Sequence, residues 1–310
     1  MTAPTAERAV TITSATPSGI EIQYQAEPKR LYRVRRALPP SDQSEPNTPW
    51  LEVPSVTTVL GVLDKPALPF WGMKIGVEGT LALFNQGHLA LAYNESQPIA
   101  VVNGAFGTVV AGVEQVIELL THHKLTVNHV RDKAGVRGVG VHDALELWAE
   151  TGKLPDPAMF PPEETGYVRG LVAFLQDVPS AKATACEVMV GSVKHGFAGR
   201  YDVRIKTTEP HQVVIHRTPV KGPQYALLAP GEYLADLKSS KGVYSSHHRQ
   251  LEAYEGASIE CGYGSTRGRG ILHVSAEGEY EFVRSVATYD DFLVVLGVWK
   301  SDEAMKGRKR

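Results

Sequence analysis

The stretch Glu232-Tyr233-Leu234-Ala235-Asp236-Leu237-Lys238-Ser239-Ser240-Lys241 decides how the rest of the chain reads. Its first seven residues alternate as a short strand does. Side chains in a strand point to opposite faces in turn, so Asp236 and Lys238 share a face, with Cα atoms roughly 7 Å apart. Tyr233, Ala235 and Leu237 point the other way, into a core. A carboxylate and an ammonium on one face of a buried strand are costly unless something uses them. A metal ion or a phosphate would.

Three stretches fit around it. Gly199-Arg200-Tyr201-Asp202-Val203-Arg204-Ile205 reads as a strand with Tyr201, Val203 and Ile205 on one face and Asp202 on the other. Gln250-Leu251-Glu252-Ala253-Tyr254 has helical spacing, which brings Gln250 and Tyr254 to one side. Gly138-Val139-Gly140-Val141-His142-Asp143-Ala144-Leu145-Glu146 reads as a helix opening with His142 on its first turn. In this order the His, Gly-x-x-Asp, Asp-x-Lys and Gln-x-x-x-Tyr motifs resemble the RecB-type exonucleases of the PD-(D/E)XK nuclease superfamily, over roughly residues 50 to 285. Val53-Pro54-Ser55-Val56-Thr57, followed by Lys65-Pro66 and Phe70-Trp71, resembles the N-terminal part of phage-encoded members. A strand-to-helix junction with aromatic core residues accounts for that stretch equally well.

The resemblance implies an α/β fold of the restriction-endonuclease-like kind, a mixed central sheet flanked by helices. One domain is expected, with an N-terminal hairpin and helical part (1–135), a nuclease core (136–300) and a basic tail (301–310). It implies metal-dependent hydrolysis of DNA from free ends in phage or prophage recombination or repair, with a recombinase or single-strand-annealing protein as partner. Two readings compete with it: a structure-selective or restriction-like endonuclease, and a non-catalytic DNA-binding module of the same fold. Divalent metal stabilises phosphate charge and generates the nucleophile, and two ions roughly 4 Å apart serve both reacting oxygens. Carboxylates suit Mg²⁺ or Mn²⁺, and one imidazole favours Mn²⁺ without excluding Mg²⁺. By the resemblance, Asp202 and Asp236 hold the ions, His142 completes the set, and the backbone carbonyl of Leu237 is the oxygen the family adds. Lys238 then orients the attacking water or neutralises the phosphate.

Other candidates are two-sided. A lone histidine on a helix is more often structural, and only its place relative to the two aspartates makes His142 a ligand. Glu187 falls where related nucleases often carry an acid, and is either a base beside the metal's water or a solvent-facing strand residue. Gln250, Tyr254 and Lys241, with Arg267 and Arg269 in a glycine-rich loop, either track a DNA strand's phosphates or simply face solvent. His122, His123 and His129 cluster without an acidic or cysteine partner at ligand spacing, which favours solvated or capping roles.

Composition bounds the classes. The chain has 310 residues, 43% hydrophobic, enough for a full core. With 32 basic against 34 acidic residues the formal charge is −2, so any nucleic-acid surface must be local rather than global. The two cysteines, Cys186 and Cys261, can build neither an iron–sulfur cluster nor a four-cysteine zinc site, and they point to a reducing, cytoplasmic setting. No run of 18 apolar residues and no basic-then-apolar leader occurs, so neither a membrane span nor a signal peptide is expected. A Walker A sequence is absent, and with it a fused motor.

Along the chain, residues 1 to about 10 are expected to be loose and 39–49 a loop. The runs Gly19–Tyr24 and Leu31–Arg35 predict a β-hairpin. Trp50–Leu60 predicts a strand running into a helix capped by Ser55. Residues 71–130 read as mostly helical, interrupted at Pro98 and near Gly104 and Gly107. Helices are expected over Arg131–Glu150, ended by Gly152, over Pro162–Gln176, over His247–Gly256 and over Tyr289–Lys300. Strands are expected from Ala185, over Phe197–Ile205, over Gln212–His216 and in a hairpin around Glu277-Gly278. The long spacer 207–230 between the aspartates suggests a β-protrusion or loop over a groove.

Overall fold

The computed structural model describes residues 11–26, 30–37, 48–63, 67–94, 97–104, 107–218 and 220–308. The expected loose N-terminus, most of the 39–49 loop, Lys65-Pro66, Pro219 and the last two residues of the basic tail lie outside them. In chain order the elements are β1 (Thr11–Ala15), β2 (Ile20–Gln25), β3 (Leu31–Arg36), β4 (Leu51–Val53), α1 (Val56–Leu60) and α2 (Ala67–Asn85). There follow β5 (Ala90–Asn94), β6 (Gln97–Gly104), β7 (Gly107–Val110), α3 (Val113–His122), α4 (Val127–Thr151) and α5 (Pro162–Asp177). The remainder comprises β8 (Lys182–Ser192), β9 (Phe197–Thr207), β10 (His211–Thr218), β11 (Gly222–Leu228), β12 (Gly231–Lys238), α6 (Ser245–Glu260), β13 (Gly268–Val274), β14 (Tyr280–Arg284) and α7 (Tyr289–Arg308). The chain divides into two compact units, residues 1–63 with 138–310, and residues 64–137.

The larger unit is mixed α/β. Its central sheet has the order β14-β13-β12-β9-β8. Only β12 and β13 are parallel, joined through α6 as a βαβ unit, and the other neighbours are antiparallel. Each face of the sheet carries its own core. On one side Val141, Leu145 and Trp148 of α4 and Leu171 and Phe174 of α5 bury against Val203, Ile205, Ala235, Leu237 and Leu272. On the other, Leu251, Ala253 and Ala257 of α6 and Phe292 of α7 bury with Ile20, Ile22 and Val34 against Val190, Phe197, Leu234 and Ile271. The alternation of β12 is what lets it serve both: Leu234 faces one core and Tyr233, Ala235 and Leu237 the other.

Local chemistry sets the ends. Ser55 Oγ accepts the Thr58 N–H at 3.0 Å and caps α1, as its position predicts. The α4 carboxyl end closes where the Gly152 N–H reaches the Trp148 carbonyl at 2.8 Å. One glycine on α4 packs close to α5: a Cβ on Gly140 would fall 2.0 Å from Glu164 Oε2, so that carboxylate would have to turn aside. That close approach lies two residues before His142. The β2–β3 hairpin forms with the register Ile22↔Val34 and Tyr24↔Tyr32, inside a four-stranded sheet that also takes in β1 and β4.

The smaller unit departs from the helical expectation for 71–130. Between α2 and α3 it carries a three-stranded antiparallel sheet, β5-β6-β7. The apolar runs there are short and rich in Val and Ala, and such runs do not distinguish helix from strand by period. Pro98 sits in the middle strand where only Tyr93 pairs with it, since β7 covers β6 only from Val101 to Gly104. A missing N–H therefore costs no ladder bond on that side.

Other expectations need correction. The helix bearing His142 starts at Val127, so His142 lies in its middle rather than on its first turn. Residues 301–308 continue α7 instead of forming a tail, with Lys306 Nζ 2.7 Å from Asp302 and 2.9 Å from Glu303. The spacer 207–230 folds as the β10–β11 hairpin. It lies on β14 and α5, with Val213, Val214 and Leu228 buried in the α4–α5 core. No helix among the described residues is long and apolar enough to cross a membrane.

Candidate metal centre

Strands β9 and β12 run side by side from Gly231↔Thr207 to Ala235↔Val203, and there the ladder stops. The next residue on each strand is an aspartate, Asp202 and Asp236. On its other side Asp202 falls between the β8 pairs Cys186↔Val203 and Val188↔Tyr201, opposite Glu187. Glu187 has φ +52°, a left-handed conformation that non-glycine residues rarely adopt. Such a backbone costs of order 1–3 kcal/mol and collects where function over-determines it. At the same place β9 changes face. Tyr201 packs in the α6 core, while Val203 and Ile205 pack in the α4–α5 core, so these three do not share one face as their spacing suggested.

The distortion gathers three potential ligands. His142 Nδ1 lies 3.4 Å from Glu187 Oε1 and 3.8 Å from Asp202 Oδ1. One ligand atom from each of His142, Glu187 and Asp202 lies within 4.8 Å of the others, and this group could hold a metal ion. Each carboxylate is steered from behind. Glu187 Oε2 takes the Arg200 guanidinium at 2.7 Å, and Asp202 Oδ2 accepts the Leu237 N–H at 2.6 Å. One oxygen of each is thus held by protein while the other turns to the imidazole. Burial opposes charge on His142, but Asp202 and Glu187 outweigh it and Lys238, raising the pKa to about 9. Without a cation the ring is therefore an imidazolium, its proton standing where a metal's charge would go. Glu187, open between two roles in the sequence, belongs to the cluster. Glu146, one turn past His142, lies in the field of Glu187, and its pKa is raised first by burial and then by that neighbour.

Beside this group Lys238 Nζ sits 2.6 Å from Asp236 Oδ2, as the Asp-x-Lys spacing predicts. Asp236 is 1% exposed, and its Oδ1 receives no hydrogen bond among the described residues. Burial opposes charge on Lys238 too, yet Asp236 and then Asp202 hold the ammonium charged, with its pKa above the ordinary value. Burial raises the Asp236 carboxyl, Lys238 opposes this, and Asp202 adds to it. A buried carboxylate with an unanswered oxygen, crowded by a second carboxylate, has the electrostatics of a cation ligand. Leu237 reaches the site through its amide.

The other candidates fall in different places. Tyr254 is 4% exposed in the core, and its hydroxyl accepts from Gln250 Nε2 at 3.0 Å. Its ring lies against Gly199, where a Cβ would come within 2.6 Å of it. Neither solvent nor a phosphate reaches it directly, so it supports the site from behind, and half-buried Gln250 is the member nearer the surface. Lys241 is exposed on the loop three residues past Lys238. Arg267 stays in an exposed loop as read, but Arg269 is misplaced by the sequence reading. Arg269 is in β13, opposite Leu234, and its Nε pairs with the buried Glu252 carboxylate at 2.7 Å. Lys238 pairs four residues further along, with His273, which puts Arg269 roughly 13 Å from the Lys238 level. Exposed Arg267 lies further still, its N–H on the Glu232 carbonyl at 2.7 Å. His122, His123 and His129 are in the smaller unit. His123 stacks on His88 at 3.9 Å, and His129 Nδ1 lies 2.7 Å from Thr126 Oγ1.

Two residues were passed over. Arg200 stood in the quoted Gly-x-x-Asp stretch, two before Asp202, and its charge was the available signal. His247 shares a helix face with Gln250. Its Nδ1 accepts the Tyr244 N–H at 3.3 Å, and burial with nearby Lys238 pulls its pKa down to about 4, so it stays neutral.

Neither a protein-family model nor a curated protein sequence matches the chain. The fold and site by themselves define a mixed α/β protein with one group of residues, among those described, able to take a metal ion.

Proposed function

We propose that the chain is a metal-dependent deoxyribonuclease of the RecB-type, PD-(D/E)XK kind, degrading DNA from its ends in recombination or repair of phage or prophage origin. The carrying observation is the convergence of His142, Glu187 and Asp202 where β9 and β12 part, with Lys238 paired to Asp236 on the adjoining strand. The donor set fits a hard divalent cation. Two carboxylates and one imidazole suit Mg²⁺ or Mn²⁺, with the nitrogen favouring Mn²⁺. The separations of 3.4 and 3.8 Å compare with roughly 3 Å between adjacent ligands of an ion at ~2.1 Å, which small side-chain rotations would close. A bound divalent cation supplies Lewis-acid stabilisation of the phosphodiester and eases loss of a proton from the attacking water.

The chain's own residues do the rest. Arg200 and the Leu237 amide aim the two carboxylates, which is how neighbours of metal ligands hold them in register. Asp236 keeps Lys238 charged and in place, and the ammonium meets the phosphate's developing charge or orients the water. We assign Asp236 Oδ1 and the Leu237 carbonyl as the further oxygens of a two-ion site. Exposed Lys241 and half-buried Gln250 line the approach for the phosphate chain.

The test uses end-labelled linear duplex and covalently closed circular DNA with Mg²⁺, with Mn²⁺ and with EDTA. Loss of the linear substrate while circles persist is expected, with no cleavage in EDTA. Rapid linearisation of circles would favour an endonuclease. Binding without cleavage under any metal would leave only a DNA-binding module.

A further inference from the structure

A pair of tyrosines on the N-terminal sheet lies beside the metal centre. Tyr24 and Tyr32 face each other across the β2–β3 ladder, with ring centroids 4.8 Å apart and planes tilted by 37°. They share the face of Ile22 and Val34, which are fully buried, but are themselves only half-buried. That face runs along β8, because a Cβ on Gly191 would lie 2.8 Å from Val34 and 3.5 Å from Ile22. A second link fixes the direction. Tyr32 pairs with Val53, and the next residue, Pro54, accepts the Ala198 N–H at 3.1 Å, two residues before Arg200. The tyrosines therefore extend the core-facing row past its sealed part, toward Arg200 and its partner Glu187. The Tyr32 hydroxyl, whose pKa is raised chiefly by burial and by Tyr24, lies within the fields of Arg200, Arg30 and Glu187.

We infer that Tyr24 and Tyr32, flanked by Arg30 and Arg200, form a stacking wall for the unpaired base at the end of a nucleic-acid strand whose phosphate lies at the metal centre. The inference rests on the nuclease reading and names its substrate as a single-stranded or frayed end. Bases inside a duplex already stack on one another, whereas an unpaired terminal base has a free π-face. Base–aromatic stacking is tolerant of sequence, as an enzyme consuming arbitrary ends requires. Arg200 spends Nε on Glu187 and is half exposed, leaving guanidinium N–H groups for a phosphate.

The test is fluorescence anisotropy with the full chain in EDTA, using a labelled 20-nucleotide oligo-dT and a blunt 20-base-pair duplex. Tyr32→Leu keeps apolar volume on the core but loses the ring, and Tyr32→Phe keeps the ring. Tyr32→Leu should bind oligo-dT roughly tenfold more weakly with duplex binding unchanged, and Tyr32→Phe should match the wild type. Equal loss in both variants, or wild-type oligo-dT affinity in a folded Tyr32→Leu protein, overturns the wall. Should Tyr32→Leu not fold, photo-crosslinking of the unmodified protein to oligo-dT ending in 5-iodouracil decides. Crosslinks on Tyr24 or Tyr32 support the wall, and crosslinks only elsewhere overturn it. Wild-type cleavage with Mn²⁺ separates the two failures: an active enzyme with no tyrosine effect loses the wall alone, whereas an inactive one loses the nuclease reading as well.

Discussion

The Leu237 N–H donates to Asp202 Oδ2 at 2.6 Å across the point where β9 and β12 separate. That bond ties the strand carrying Asp236 and Lys238 to the strand carrying Asp202. It uses a backbone donor that the broken ladder leaves without a strand partner on that side, so the opening of the sheet and the aim of the carboxylate have one cause.

Three carboxylates close together are stabilised by added cation. Mn²⁺ at a hundred times its dissociation constant should raise the unfolding free energy by about 2.7 kcal/mol, seen as a higher melting temperature. Asp202→Asn should lose most of that rise. An equal rise in the variant places the metal elsewhere.

Lys238→Ala removes the charge paired to the buried Asp236 carboxylate. Breaking a buried pair costs about 3 kcal/mol, so the metal-free protein should melt lower, and less so at low pH where Asp236 takes up a proton. Turnover should fall by orders of magnitude while Mn²⁺ binding survives. Wild-type turnover in this variant removes Lys238 from the chemistry.

The raised pKa of His142 fixes the sign of one pH dependence. Its folded value of about 9 exceeds the ordinary 6.5, so its stabilising contribution is complete below pH 6.5 and is lost as pH rises through 9. After solvent screening of a partly exposed ring this is about 1 kcal/mol, or roughly 2–4 °C. Metal must displace the same proton, so Mn²⁺ affinity should rise up to about tenfold per pH unit until near 9. Both trends should vanish in His142→Ala, and melting curves with Mn²⁺ titrations at pH 6.5, 8 and 9.5 would detect them.

Gly140→Ala drives a methyl group into the Glu164 carboxylate. Overpacking costs about 1–3 kcal/mol where the neighbour cannot turn aside; if the buried Glu164 is held, α4 shifts and Mn²⁺ binding at His142 should weaken. Glu164→Ala in the same chain removes the clash and should restore much of the metal affinity. Failure of the double variant to recover shows that the contact does not position the histidine.

Much of this arrangement was legible in the sequence. Asp236 and Lys238 declared themselves by period two on an otherwise apolar strand, and Ser55 by its place before an apolar run. Glu187 did not, because its role depends on a left-handed backbone and an irregular ladder that alternation cannot express. Arg269 read as a free cation because its glycine-rich surroundings look like a loop, whereas it lies in β13 with the buried Glu252 as partner. Tyr254 read as a surface residue for the converse reason, since its hydroxyl is satisfied by Gln250 one turn earlier. The β5–β7 sheet was missed because short Val- and Ala-rich runs carry no decisive period.

We propose that His142, Glu187 and Asp202 hold the cation at which DNA is cut. The most direct test of this is electron paramagnetic resonance of free against bound Mn²⁺, read alongside cleavage of end-labelled linear duplex in the same samples, for the wild type and Asp202→Asn. Cleavage that tracks bound Mn²⁺ in the wild type, with both lost in Asp202→Asn, is the predicted result. Cleavage without bound Mn²⁺, or wild-type Mn²⁺ binding in Asp202→Asn, would contradict it.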